Sequence, residues 1–230
     1  MYGKLKKRVF EANLLLPKYN LIDLTWGNVS EIDREMGVVA IKPSGVSYDK
    51  MTANDIVIVD AETGAVVDGS LNPSSDLMTH LELYKAFKEI GSVVHTHSTF
   101  ATAFAQSERS IEPYGTTHAD TFYGPIPCTR RLTKEEVESN YELNTGKVIA
   151  ETFEKVDYSA IPAVLVACHG VFAWGSSGEK AVENALITER VAEMAHITLS
   201  LGVKQSIDGY LLDKHYYRKH GKNAYYGQKK

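Results

Sequence analysis

The sequence predicts a single α/β domain, residues 1–230, with a central β-sheet layered between helices. Amphipathic runs of helical period alternate with short apolar runs of strand type, the pattern of a sheet covered by helices. The 230 residues, 43% of them hydrophobic, suffice for one sizeable core. Neither an internal repeat nor a Pro/Gly/Ser-rich linker divides them.

In chain order, residues 4–19 read as a helix whose Lys and Arg side chains line a solvated face. Residues 37–42 and 56–60 are β-type runs. Residues 76–90 carry Leu77, Leu81, Tyr84 and Phe87 at helical steps, with Ser74-Ser75 as a cap before them and Gly91 as a stop after. That helix leads straight into a strand over 92–97. A helix over 133–153 follows through Val137, Tyr141 and Val148, its start marked by a Thr133/Glu136 capping box. Strands are expected over 163–168 and 171–174. Between 178 and 201, Ala181, Ala185, Thr188, Ala192, Ala195 and Leu199 form a narrow seam of mostly small residues, which lets another element approach closely.

The chemistry concentrates on histidines. His95, Thr96 and His97 form an H-x-H at the end of one apolar run, and His169 closes another. Successive strand side chains alternate faces, so His95 and His97 point to one side. Three imidazoles from neighbouring strands supply the three ligands of a catalytic metal site and leave a position open. Asp76 adds a fourth, oxygen ligand. H-E-x-x-H is absent, and no H-x-H-x-D-H follows.

Two clusters point to an anionic substrate. Lys42-Pro43-Ser44-Gly45 offers an ammonium, a hydroxyl and a glycine amide in a turn, and Asn72-Pro73-Ser74-Ser75 places two hydroxyls at a helix start. Neither phosphate-loop nor dinucleotide fingerprints are present, so a small phosphorylated metabolite is the expected ligand. A net charge of −4 disfavours nucleic acid. No apolar stretch approaches ~18 residues and the start leads into no signal-type core, so a cytoplasmic protein away from membranes is expected. Two cysteines give no disulfide framework, and Cys168 reads as a buried strand residue.

Gly27-Asn28-Val29-Ser30, Lys42-Pro43-Ser44-Gly45, Ser74-Ser75-Asp76, His95-Thr96-His97, Gly115-Thr116-Thr117-His118-Ala119-Asp120, His169-Gly170, Asp213-Lys214-His215-Tyr216 and the closing Ala224-Tyr225-Tyr226-Gly227-Gln228 together resemble the class II sugar-phosphate aldolase/epimerase family. Residues 115–130 and the tyrosine-rich tail are similar to its epimerase branch. The resemblance implies one Zn²⁺ per subunit, with Mn²⁺ or Co²⁺ suiting the same imidazoles, held by His95, His97 and His169 with Asp76 at the ion. It implies substrate and phosphate contacts from Gly27, Asn28, Ser44, Gly45, Ser74 and Ser75, with Lys42 beside them. Asp120 and Tyr226 would be an acid/base pair; on the residues alone Asp120 is a turn-capping carboxylate and Tyr226 a docking aromatic. His215 and Arg218, in a tail of about 205–230, would close over a neighbouring subunit's site in a fourfold homotetramer. The implied reaction inverts C4 of a pentulose phosphate by retro-aldol cleavage and re-addition. An aldolase of the same family is the alternative, disfavoured by Asp76 where that branch has glutamate.

Overall fold

The structure is a computed structural model that describes residues 1–203, 205–222 and 224–228. Of the tail expected over 205–230, Asn223, Lys229 and Lys230 lie outside the described residues. Among the described residues, β1 (Asn28–Asp33), β2 (Val38–Ile41), β3 (Val57–Asp60), β4 (Val66–Asp68), β5 (Ser92–Thr96), β6 (Ala163–Leu165) and β7 (Val171–Gly175) form one seven-stranded sheet, order β4-β3-β2-β1-β5-β7-β6. Every neighbouring pair is antiparallel. The helices are α1 (Gly3–Lys18), α2 (Leu77–Ala86), α3 (Thr99–Gln106), α4 (Thr116–Ala119), α5 (Lys134–Glu138), α6 (Tyr141–Thr152), α7 (Gly178–Ser200) and α8 (Gly209–Tyr217). No described helix is long and apolar enough to cross a membrane.

Strand alternation assigns the layers. On β1, buried Ser30 bonds His80 and Tyr84 of α2, whereas the next residue, Glu31, pairs with Arg8 of α1. Helices α1, α3 and α7 thus cover one face, and α2 with α6 the other. Asn13 of α1 finishes the ladder where β2 stops: its Oδ1 accepts from Val29 N–H (2.9 Å) and its Nδ2 donates to Val29 O (3.0 Å). The seam on α7 is buried at Ala181, Ala185, Thr188, Ala192 and Ala195. A side chain at Gly178 would come within 2.6 Å of Ala12 Cβ, so α1 and α7 cross at near-backbone contact.

Several boundaries differ from expectation. The strand over 92–97 stops at Thr96, and the one over 163–168 stops at Leu165. A turn follows Leu165, with Val166 N–H on Gly170 O at 2.8 Å and Cys168 at φ +61°. Cys168 is therefore exposed, not a buried strand residue. The helix over 76–90 ends at Ala86, because Phe87 leaves helical geometry to stack on Tyr158 at 4.5 Å, beside Trp174. Ser74-Ser75 do not cap it: Asp76 holds the cap position without a side-chain capping bond. The helix over 133–153 divides at Ser139-Asn140, where Asn144 Nδ2 bonds Glu136 O at 2.8 Å; the Thr133/Glu136 capping box is formed. Strands β1 and β4 and helices α3, α4 and α8 were not foreseen.

Candidate metal centre

His95 and His97 leave the end of β5 on the α2 face, and His169 reaches them from the turn before β7. One ligand atom from each of the three lies within 4.8 Å of the others, and His95 Nε2 stands 3.1 Å from His97 Nε2. In a neutral imidazole only one nitrogen carries a proton. His95 Nδ1 donates to Val171 O at 2.9 Å, leaving Nε2 as the bare ligating atom. His169 Nδ1 meets Tyr141 Oη at 3.2 Å, which likewise turns its Nε2 inward. Phe172, the register partner of His95, stacks on its ring at 4.2 Å. Burial, then the charges of His95 and His97, pushes His169 down to about 3 despite Asp76; burial and His95 also lower His97. These rings are neutral near pH 7, the form a metal takes up. Three converging imidazole nitrogens beside a carboxylate suit Zn²⁺, Mn²⁺ or Co²⁺, so the residues present fit a divalent ion.

Asp76 lines the same cavity outside that set of three. Its Oδ2 accepts from Asn28 Nδ2 at 2.7 Å and lies 3.4 Å from Ser74 Oγ. Burial raises its pKa, but His95, His80, Asn28 and His169 outweigh this and hold it ionised.

The cavity measures about 550 Å³ and is walled by Gly27, Asn28, Lys42, Ser44, Gly45, Ser74, Ser75, Asp76, His95, His97 and His169 together with Thr25, Trp26 and Pro43. Two loops distant in sequence meet there because Ser44 N–H donates to Asn72 O and Ser74 N–H to Lys42 O, both at 3.0 Å. Gly27 is required: at φ +76°, a Cβ would sit 2.9 Å from His95 O. Lys42 is only 2% exposed, and its Nζ has Pro43 O at 3.3 Å and the Tyr48 ring at 4.8 Å. Among the described residues it has no carboxylate partner, and burial lowers its pKa. A buried cation so placed, with hydroxyls around it, is completed by an anion. Thr25, Trp26, Tyr48 and Tyr141 were not foreseen; the last three act through contacts distant in sequence, for which the chain carries no local signal.

Four of the expected residues lie elsewhere. Asp120 and Tyr226 line a second cavity of about 500 Å³ with Lys219 and His220, and His215 and Arg218 bond Asp120 itself. The Arg218 guanidinium grips both carboxylate oxygens at 2.8 and 2.9 Å, His215 Nδ1 lies at 3.0 Å, and Lys219 Nζ at 3.1 Å. Burial raises the Asp120 pKa, but Arg218, His215 and Lys219 more than reverse it. Arg218 and Lys219 also lie over the Tyr226 ring, at 5.2 and 4.4 Å. Within one chain, then, the imidazole triad and the Asp120/Tyr226 pair occupy separate cavities.

The structure is similar to an L-fuculose 1-phosphate aldolase (25% identity, TM-score 0.77, 92% of this chain and 94% of that one covered). It is also similar to the L-fuculose 1-phosphate aldolase from Glaciozyma antarctica PI12 (20%, TM-score 0.77, 97% and 84%). A third likeness is to YgbL, a putative aldolase/epimerase/decarboxylase from Klebsiella pneumoniae (21%, TM-score 0.70, 92% and 97%). The family described as the class II aldolase and adducin N-terminal domain matches residues 7–196, from α1 through the sheet to most of α7, and the chain belongs to that family.

Proposed function

We propose that the chain is a zinc-dependent L-ribulose-5-phosphate 4-epimerase, a cytoplasmic homotetramer that converts L-ribulose 5-phosphate to D-xylulose 5-phosphate at sites between subunits. The observation that carries this reading is the pairing of Asp120 with Tyr226 through the same two cations, Arg218 and Lys219. A C4 epimerase needs two proton-handling groups, one for each face of the carbon being inverted. Because these two lie away from their own chain's triad, a second copy would bring them to it.

C4 of a ketose is not adjacent to the carbonyl, so removing its hydrogen gains no resonance stabilisation. Breaking C3–C4 avoids that difficulty. A divalent ion on His95, His97 and His169 would supply Lewis-acid stabilisation of the negative charge that develops as the bond breaks. Asp120, held ionised beside Arg218 and Lys219, accepts the proton of the C4 hydroxyl as the aldehyde forms. Lys42, Ser44, Ser74 and Ser75 hold the phosphate of the two-carbon fragment while its aldehyde turns over. Tyr226 then donates a proton to the oxygen of the re-formed C4 centre. Roles exchange in the reverse direction.

A second reading, an aldolase that releases its fragments, is favoured by the likeness to L-fuculose 1-phosphate aldolases. Incubating the metal-loaded protein with L-ribulose 5-phosphate, and separately with L-fuculose 1-phosphate, separates the two. The epimerase gives D-xylulose 5-phosphate with only trace dihydroxyacetone and leaves the fuculose ester intact. Accumulating fragments without epimer would establish the aldolase instead.

A further inference from the structure

Behind the metal centre runs a buried chain of polar groups to which the reaction assigns no part. Tyr84 Oη lies 2.7 Å from Ser30 Oγ, which lies 2.7 Å from His80 Nδ1. His80 is completely buried, and its other nitrogen, Nε2, has no partner. Leaving a polar atom orphaned in an interior is costly, and such atoms in a folded protein call for an explanation.

Helix geometry supplies one. His80 follows Asp76 by one turn, with its N–H on Asp76 O at 3.2 Å, and long helical side chains lean back toward the preceding turn. Its ring also meets the edge of Phe172, the residue stacked on His95. Complete burial favours the uncharged ring, which carries a single proton. Were the single ring proton on Nδ1, Nε2 would remain a buried lone pair with no donor. With the proton on Nε2, Tyr84 donates to Ser30, Ser30 donates to Nδ1, and Nε2–H remains as the one free donor. Asn28 and Ser74 both address Asp76 Oδ2, and among the described residues no hydrogen bond falls on Oδ1.

We infer that His80 is a positioning residue, whose Nε2–H, oriented by Ser30 and Tyr84, holds the Asp76 carboxylate when that group turns to a divalent ion on the three imidazoles. The inference rests on the reading of the triad and Asp76 as a metal centre. Support of this kind behind a ligand typically contributes ten- to a hundredfold in metal affinity.

Two substitutions separate positioning from mere filling of the core. H80N keeps a group near Nδ1 for Ser30 and loses the Nε2 donor; H80Q keeps an amide donor near Nε2 and loses the Ser30 contact. Zn²⁺ affinity by chelator competition, the visible spectrum of the Co²⁺-loaded protein and the melting temperature of the metal-free protein are measured for both. Affinity is expected to fall about ten- to a hundredfold in H80N with a shifted Co²⁺ spectrum, and to stay within about threefold of wild type in H80Q. Metal-free stability should rank the other way, H80N above H80Q. Affinity that follows metal-free stability, or is unchanged in H80N, overturns the inference while the metal centre stands. Wild-type protein that takes up neither ion overturns the metal centre and the inference with it. Independently of either variant, ¹⁵N imidazole NMR of the wild-type protein should find the His80 proton on Nε2, and a proton on Nδ1 overturns the proposal.

Discussion

His95 and His97 act as a pair because the intervening Thr96 points to the opposite face, and His169 joins them only because residues 166–170 turn back on themselves. Replacing His97 with Asn should lower bound metal and turnover together while the fold persists; elemental analysis giving full metal content would remove His97 from the ligand set. The Asp120 cluster makes a pH prediction. Its folded pKa is depressed below the ordinary 3.8 by Arg218, His215 and Lys219, against the raising effect of burial. The stabilisation is therefore complete above about 3.8 and is lost as pH falls through the lower folded value. Near-ultraviolet circular dichroism of the tyrosines packed where α8 docks, Tyr123, Tyr216 and Tyr217, should show an acid transition that Asp120→Asn abolishes. A transition that survives in that variant would belong to other groups. At this scale the sequence was informative wherever a short motif carries its own chemistry, as in the H-x-H, Lys42–Gly45 and Ser74-Ser75. It was silent on Tyr141 and His80. Tyr141 stands where a helix repeat calls for a core residue, and only the fold brings its hydroxyl to His169, 28 residues on.

At the scale of elements, buried Glu189 of α7 fixes the segment that follows His97. Its two carboxylate oxygens accept from Phe100 and Ala101 N–H, each at 2.9 Å, and so satisfy the first-turn amides of α3. Glu189→Ala should cost about 1–3 kcal/mol in unfolding free energy, with Glu189→Gln recovering part of the loss through its amide oxygen. Equal stability of Glu189→Ala and wild type in denaturant titration would show that water serves those amides as well. α1, α7, β2, β3 and β7 were legible because a helical period, or in the strands an unbroken apolar run, agrees with burial in them. β1 was not: its buried face carries Asn28 and Ser30, polar residues that serve the site and the chain behind it, so the alternation reads as a loop. α3 is two turns of Ala, Thr and Phe whose cap comes from Glu189, 88 residues from Ala101, a distance no local capping signal spans.

At the scale of the molecule, the antiparallel order places β1 and β5 side by side at the centre, which brings Asn28 opposite His95 and gathers one wall of the cavity from three separate stretches of chain. Strand order was not legible, since it depends on which hairpins pair across the sheet, and no residue pattern encodes that here. The same fold keeps Asp120 and Tyr226 in a cavity apart from their own chain's triad. The central claim is that one copy's triad works with another copy's Asp120 and Tyr226. Co-expressing a His97→Asn chain with an Asp120→Asn chain, each inactive alone, tests it directly. Mixed assemblies should recover about a quarter of wild-type turnover, the fraction of sites that pair an intact triad with an intact Asp120 across subunits. Mixtures that stay as inactive as their parents would contradict the account, because every site would then draw both groups from a single chain.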